Sequence, residues 1–561
     1  MKIVIGRVNE TLKVIAKSHN MSIDQLLSVN SHITSANTVV KGQKVKIPSP
    51  PKRAMIRKRR QQVQTPIGQF IDACPPEKPP LKPLDNWIPL TTLEEMSQKM
   101  YDVIIVGSGA GGGAALWRLC EKWKDSGKKV AMLEAGDLLL QSHAQNLPTF
   151  NFERLQRYLL NPNYSHPIGL EWDDFSGATQ FFALGGRTIH WGTVSPRLQP
   201  EDFKDWPINY HDLSPYYTIA EKIMNVNQLY TRDSALQSVL LERLLQGGFI
   251  HAENYPMAVD LDMTKYGKVH SNVFFSSINF LAYALNKTSF DLAVNASVYE
   301  VLQENGTACG VKVVSKNNEH YTIKGKTIIL AASTFGTTRI LLNSAITSPA
   351  LGHYLANHSF VFANVNTDRS QFPEEVGVAG ILIPSSINKP FQLQIQGTDP
   401  FNYFWYQFEE RPIEPILKLA IIGFGIVESR YENRLSLNYS SVDEYGIPKL
   451  KATFSYSERD YQVIEQMTSS LTSAAKEMNV TMDTQPCLFT PGMDQHEFGT
   501  CRMGNNPKTS VTNSIGQVHG IDNLFICDNS VLPSIGAANP TLTTVACSIR
   551  TVDYIINRYL T

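Results

Sequence analysis

The sequence predicts an α/β protein. Its long C-terminal region reads as a doubly wound, Rossmann-type fold, with a small strand–helix–helix–strand unit in front. Three observations predict this. From about residue 99 to the end, buried-strand runs alternate with helical runs, the pattern of a parallel sheet covered by helices. The stretch "YDVIIVGSGAGGGAALWRLC" sets glycines at GxGxxG spacing between a strand and a helix. Residues 1–49 are patterned on their own and are followed by a basic, proline-rich stretch.

Length and composition permit this reading without narrowing it. The chain has 561 residues, of which 42% are hydrophobic and 18% charged, with 51 Lys+Arg against 51 Asp+Glu. That is room for two to four domains and a sizeable core. The balance is uneven. Residues 1–60 hold 13 Lys+Arg and 2 Asp+Glu, which leaves 38 and 49 for the remainder. A basic front half-module of this kind suits either an anionic partner or a solvated tail. The seven cysteines are scattered and form no CxxC, so neither a zinc site nor a disulfide framework is expected, and no other metal site is. "MKIVIGRVNETLKVIAK" lacks the apolar core of a signal peptide. "LAIIGFGIV" (419–427) is too short to span a bilayer. The expected location is cytoplasmic, or at a cell wall or coat without a recognisable signal.

In chain order, "IVIG" and "QKVKIP" read as short strands that flank two helical stretches, one around Leu12, Ile15 and Ala16, the other around Ile23, Leu26 and Leu27. Residues 50–98 read as a linker: "PKRAMIRKRRQQ" is basic and "CPPEKPPLKPLDNWIPL" is proline-rich. The basic run has no interleaved base-stacking aromatics, so nucleic acid is not an expected partner.

The glycine motif follows the buried run Val103 to Val106. Gly107 permits a tight turn, Gly109 lets the backbone approach a pyrophosphate, and Gly112 lets helix and strand pack closely. The helix N-terminus offers free N–H groups to the phosphates. A second strand, "KVAMLEAG", ends in Glu134, 22 residues beyond Gly112, the spacing of an acid that bonds ribose hydroxyls. An acid there disfavours a 2′-phosphate, which leaves FAD and NAD. At the far end, Leu542, Val545, Ile549, Val552, Ile556 and Tyr559 fall at intervals of 3, 4, 3, 4 and 3, one helical face. Pro540 suits the first turn of that helix, and Asn539 its N-cap.

"ETLKVIAKSHNMSIDQLLSVN" followed by "VVKGQKVKIP" resembles a LysM module, although "VNETL" stands where that family has Gly-Asp before Thr-Leu. The resemblance implies binding to an N-acetylglucosamine polymer, peptidoglycan or chitin. A second resemblance covers residues 99–561. "LEAGD", "ALGGRTIHWGTVSPRL", "VNASVYEVLQENGTACGVKVV", "IILAASTFGTTRILLNS", "HEFGTCRMG" and "NLFICDNSVLPSIGAANPTLTTVA" occur in that order. Together they resemble the glucose–methanol–choline (GMC) flavoprotein oxidoreductases, in particular the branch that includes pyranose 2-oxidase. The cofactor implied is FAD.

The resemblance assigns roles residue by residue. Gly185, Gly186, Thr188 and His190 of "GGRTIHWG" would lie against the flavin. Relatives with this His-Trp pair bind FAD with or without a bond to the histidine, and Gly192 follows here instead of Thr. Val298 would approach the adenine. Asp528 would sit near the phosphates and ribityl chain. Pro540 and Thr541 would open a helix aimed at the flavin edge that gains charge on reduction. His496 would take the proton of an alcohol, with Asn539 as its partner.

It also implies an interleaved antiparallel-sheet substrate domain. The expected order is LysM-like module 1–49, linker 50–98, FAD-binding segments 99–200, 290–345 and 496–561, and substrate-domain segments 201–289 and 346–495. "RLSLNYSSVDEYGIPKLKATF" reads as strand, turn, strand at the edge of that sheet. The implied reaction is hydride transfer to FAD from a secondary alcohol of a sugar or glycoside, with oxygen or a quinone as the final acceptor. The alternatives are a wall or coat protein that keeps FAD structurally, and a GMC enzyme for a non-sugar alcohol such as choline or a sterol.

Overall fold

The computed structural model describes residues 2–5, 8–19, 21–47, 87–147, 161, 164–231, 234–260, 273–372, 376–397 and 415–560. The chain forms two compact units, Met1–Pro79 and Pro80–Thr561.

In the first unit, strands Lys2–Ile5 and Lys44–Ile47 pair antiparallel around helices Leu12–Ser18 and Ile23–Ser28. Thr11 caps the first helix, and Ser22 and Gln25 form a capping box on the second. Leu12, Ile15, Leu26, Ile33, Val40, Val45 and Ile47 make the core. So small a core is supplemented by a polar clip. The buried Asn30 donates to the carbonyls of Leu26 and Lys46 and accepts from Lys46 N, each at 2.8 Å.

The second unit begins earlier than the sequence reading has it. Residues 87–98 were expected to be linker. Instead Ile88 is buried, Thr91 N donates to Leu292 O at 2.8 Å, and helix Leu93–Ser97 buries Leu93 and Met96 behind a Thr92/Glu95 capping box. Apolar residues after a capping threonine fold onto the sheet rather than staying extended. The basic cluster and Cys74 lie outside the described residues.

A seven-stranded sheet organises this unit. Its parallel part runs Asp291–Ala293, Val130–Leu133, Met100–Val106, His320–Leu330, Leu524–Ile526. The N-terminal half of His320–Leu330 also carries the antiparallel strands Thr307–Ser315 and Ala296–Glu304. Helix Ala110–Lys122 packs against both Ser277–Leu285 and Thr541–Leu560. Arg118 joins the first of these to the last through two bonds to Asp553, 2.6 and 2.8 Å.

A second, antiparallel sheet runs Thr481–Met482, Ser359–Asp368, Ile416–Gly425, Phe391–Gly397, Ala379–Ile383, Glu253–Asn254, with Cys487–Leu488 also on Ser359–Asp368. Helices Ala235–Gln246 and Glu458–Glu477 cover one face, and Val361, Leu393, Ile395, Leu419 and Ile421 bury themselves there.

Two expectations about this sheet need correcting. Among the described residues, the segment 201–289 contributes only Glu253–Asn254 to it. Helix Tyr210–Met224 packs on the C-terminal helix, where Tyr217 Oη lies 2.7 Å from Thr543 Oγ1, and Ser277–Leu285 packs on the glycine helix. These helices are apolar on the face that the parallel sheet needs covered. The 434–453 hairpin forms a separate two-stranded sheet. Its Leu435, Leu450 and Ala452 pack with Phe335 of helix Ser333–Asn343 instead of extending the large sheet.

The glycine helix fits against the last strand so closely that a Cβ on Gly111 would stand 1.7 Å from the carbonyl oxygen of Cys527. Backbone on both sides leaves nothing flexible to yield. Gly111→Ala is therefore expected to destabilise this unit by about 3 kcal/mol or more, seen as a lowered unfolding midpoint in guanidinium. An unchanged midpoint would contradict the packing.

Candidate active site

A cavity of about 1380 Å³ opens between the two sheets, lined by both. That exceeds what a single drug-sized ligand occupies, so a dinucleotide and a small substrate can share it. Its floor is where the parallel strands end level. Val106 stands opposite Leu133 and Leu330, and Leu330 opposite Ile526. The loops that leave these ends all face the cavity.

The glycine turn has the form a pyrophosphate cradle requires. Gly107 has φ +97°, and a Cβ on it would meet Ala331 O at 2.3 Å. Gly109 is the helix N-cap and supplies no side-chain bond, so the first N–H groups are left for an anion. A Cβ on Gly109 would meet nothing within 4 Å, and this glycine lines the cavity. Gly112 does not. Its missing Cβ would strike Gly107 O at 2.0 Å, so its part is to let turn and helix approach each other, and it makes no contact with the ligand space.

Glu134 lines the cavity, and its carboxylate also ties turns together. Oε2 accepts from Ser108 N at 2.9 Å and Ser108 Oγ at 2.6 Å, and Oε1 from Gly136 N at 2.8 Å. Burial pushes its pKa up against these bonds. A carboxylate held at the rim in this way could also accept from a ribose hydroxyl. Ser108 Oγ in turn accepts from Gly185 N at 2.9 Å. Gly185, with φ +91°, is absent from the lining and shapes the turn, whereas Gly186 lines the cavity.

Thr188 borders the cavity, but its hydroxyl is spent within the protein, donating to Gly185 O at 2.6 Å and accepting from Ser277 N at 2.8 Å. His190 is different. It lines the cavity, and its buried Nε2 has no hydrogen-bond partner among the described residues. A buried nitrogen in that state needs a ligand or water. The donor-rich turn, the open space at Gly109 and this imidazole together fit a flavin dinucleotide. Val298 lines the cavity on the strand Ala296–Glu304, where the ladder slips register.

At the last strand, Asp528 also lines the cavity. Its Oδ1 accepts from Ser530 N and Ser530 Oγ, and its Oδ2 from Thr337 Oγ1 at 2.5 Å. The helix that follows starts one residue later than expected. Thr544 N donates to Pro540 O at 2.9 Å, so Pro540 is the capping position and lies off the lining, while Thr541 is on it. Asn539 is consequently not the N-cap. Its Oδ1 accepts from Gln392 at 3.1 Å and Gln394 at 2.6 Å.

These glutamines turn the Asn539 amide so that Nδ2 lies 3.5 Å from His496 Nε2. His496 and Asn539 thus stand side by side on the cavity wall. The histidine loop is pinned from outside. Gln495 has φ +58°, an uncommon conformation that costs of order 1–3 kcal/mol. Arg187 holds it there with bonds to Gln495 O and Glu497, both 2.8 Å. Behind His496 lie His358, its Nδ1 2.9 Å from His496 Nδ1, and Asp494, its Oδ2 3.8 Å from the same atom. Asp494 accepts from Asn357 Nδ2 and His358 N. Burial, then the charge of Glu497, pushes it up to about 7 against those two bonds. Burial, reinforced by the His358 and Arg187 charges, holds His496 well below its ordinary value.

Sequence reasoning missed Ser108, His358, Asp494, Gln392 and Gln394. A signal was present for the glutamines: "FQLQIQG" alternates apolar and amide residues. Leu393 and Ile395 go to the helix-covered core, while Gln394 and Gln396 face the cavity. No comparable pattern marks His358. Neither His519 nor Cys501 lines the cavity. His519 Nε2 bonds Ser510 Oγ at 3.0 Å, and Cys501 is fully buried.

Gly109→Ala, in contrast to Gly111→Ala, is expected to leave the unfolding midpoint of the ligand-free protein near the parent's and to weaken dinucleotide binding, because the added methyl projects toward the ligand space. Flavin fluorescence titration reads this, and unaltered affinity would contradict the cradle.

Three stretches of the chain match family models. Residues 102–360 and 429–548 match the N- and C-terminal GMC oxidoreductase models, and residues 7–48 match the LysM domain. A C-glycoside 3-oxidase of Arthrobacter globiformis is 26% identical over 80% of this chain and 93% of its own length. A 2-methyl-1,2-propanediol dehydrogenase of Mycolicibacterium austroafricanum is 24% identical over 82% and 95%. A pyranose 2-oxidase of Tricholoma matsutake is 23% identical over 71% and 76%. The crystal structure of pyridoxine 4-oxidase from Mesorbium loti superposes with a TM-score of 0.61 at 13% identity, over 82% of this chain and 99% of that one, a likeness of fold. No helix among the described residues is long and apolar enough to cross a membrane. The chain belongs to the GMC oxidoreductases, FAD-dependent enzymes that act on alcohol groups, and carries a LysM domain at its N-terminal end.

Proposed function

We propose that the GMC unit oxidises a secondary alcohol of a sugar or glycoside, with His496 taking the hydroxyl proton and Asn539 holding the alcohol oxygen. The observation that carries this is the His496–Asn539 pair, set side by side on a cavity that begins at the glycine turn. FAD, when bound against Gly107, Gly109, Glu134, Gly186, His190, Val298, Asp528 and Thr541, supplies the hydride acceptor. The protein supplies position and a base. Burial keeps the His496 imidazole neutral, so its lone pair is available. Asn539 cannot take a proton but can donate one N–H to the substrate oxygen.

A sugar fits the second sheet's cavity face. Gln394 and Gln396 offer amides to hydroxyl groups, and Ile422, Phe424 and Phe360 offer an apolar surface to a ring face. The relatives named for C-glycoside and pyranose oxidation support the same substrate class. The diol dehydrogenase relative supports a second reading, a small aliphatic alcohol. An anaerobic screen of flavin bleaching over sugars, glycosides and diols decides between them, and bleaching by none would remove both. Oxygen or a quinone would then reoxidise the flavin.

His496→Ala is expected to retain FAD and slow flavin reduction roughly 10²–10⁴-fold, the contribution of a positioned acid–base group. Near-parental reduction in anaerobic stopped flow would show the histidine to be structural. The pH dependence follows from the sign of its shift. A base works when deprotonated, and the pKa of His496 is depressed below 6.5. Reduction should therefore be flat through neutrality and fall only below pH 6.5. An acid limb centred at or above that value would contradict the site.

We also propose that the LysM domain holds the enzyme on an N-acetylglucosamine polymer, peptidoglycan or chitin. Its support is the family match and the compact strand–helix–helix–strand unit. The full chain should sediment with insoluble glycan in moderate salt, and a chain lacking residues 1–49 should not. Retention abolished by salt would assign binding to the basic segment instead.

A further inference from the structure

His358 is linked on both sides of its ring. Nε2 lies 3.0 Å from the carbonyl oxygen of Gly536, and Nδ1 lies 2.9 Å from His496 Nδ1. A carbonyl can only accept, so Nε2 of His358 carries the proton. A neutral imidazole has one N–H, so its Nδ1 is an acceptor. The 2.9 Å contact then requires an N–H on Nδ1 of His496, which leaves the lone pair of that ring on Nε2.

The opposite edge of His496 gives the same answer independently. Gln392 and Gln394 both donate to Asn539 Oδ1. The Asn539 NH2 group therefore faces His496 Nε2 at 3.5 Å and needs an acceptor there. The other tautomer would set two lone pairs against each other at 2.9 Å and two N–H groups against each other at 3.5 Å.

We propose that His358 is a positioning residue that locks His496 in the Nδ1–H tautomer, so that Nε2 is the base presented to the substrate. This rests on the reading of His496 as the proton acceptor. In the step it serves, the substrate O–H bond breaks and an N–H bond forms at Nε2. The resulting imidazolium keeps its Nδ1–H on His358, with Asp494 Oδ2 3.8 Å away. The charged and titratable groups around the ring are Asp494, His358 and Arg187, the last paired with Glu497 at 2.8 Å. His358 is itself neutral in the working range, since burial holds it at about 4, against the opposing bond to Gly536.

The test uses the FAD-loaded full chain and three measurements. In the parent, nitrogen-15 spectra of histidine-labelled protein, with His496 assigned by its loss in His496→Ala, should show Nδ1 protonated and Nε2 bare. The reverse pattern overturns the proposal whether or not the His358 variants fold. His358→Leu should bind flavin yet slow limiting flavin reduction roughly 10²-fold, with substrate affinity little changed. His358→Gln should restore most of that rate, because its amide can accept from His496 and donate to Gly536. In His358→Leu the acid limb should move down in pH, since the acceptor that holds the Nδ1–H of the His496 imidazolium is gone, whereas His358→Gln should keep it near the parent's. A His358→Leu enzyme that reduces at the parent rate with an unmoved limb overturns the lock. If His496→Ala also reduces at the parent rate, the base assignment itself has failed. If it does not, only the lock has.

Discussion

The structure depends on five parallel strands that end at the same level. Val106, Leu133, Ala293, Leu330 and Ile526 are ladder neighbours, although they come from five separate stretches of the chain. Hydrogen bonding continues one step past each end: Gly107 N to Leu133 O, Ala331 N to Val106 O, Cys527 N to Leu330 O, between 2.7 and 2.8 Å. Parallel pairing in this register leaves the following loops no choice but to share one rim. The glycine turn, the Glu134 turn and the Asp528 turn meet there because the strands do. Ligands of open α/β sheets gather at such an edge for this reason.

Close approach at that rim explains the glycines, which differ in what they do. Gly107, Gly111 and Gly112 lie against backbone carbonyls at distances no Cβ tolerates, whereas Gly109 faces open space. Three are packing requirements and one leaves room for a ligand, inside a motif that looks uniform. Ser108 sits between them and joins Glu134, Gly185 and Ser277 into one hydrogen-bonded group. The cofactor face is therefore built as a unit with the core beneath it.

The second sheet supplies what the first lacks. Its covered face is ordinary aliphatic core. Its other face carries the glutamines that orient Asn539, and His358 stands next to Ser359–Asp368, the strand that carries Phe360. The paired side chains of the histidine loop and of the turn before the C-terminal helix are thus aimed by residues from a different layer. A loop with a strained Gln495 can hold one geometry only because Arg187, Thr334 and Asn357 grip it from three sides.

Much of this was legible in the chain itself. Strand–helix alternation, the GxGxxG turn with Glu134, and the 3–4 spacing from Leu542 to Ile556 are local patterns, set by backbone sterics and by which side of an element must be buried. They determined the α/β class, the dinucleotide site and the C-terminal helix, and the motif resemblance placed His496 beside Asn539. The tertiary structure alone decided the rest. It placed the start of the second unit before residue 99 and made Pro540 rather than Asn539 the cap. It moved the 434–453 hairpin off the large sheet. It set His358 against His496 across 138 residues, and Gln394 against Asn539 across 145. Local periodicity says which face of a strand is buried. Which distant side chain completes a hydrogen bond is settled by sheet register and layer packing, and these exist only once the chain has closed on itself.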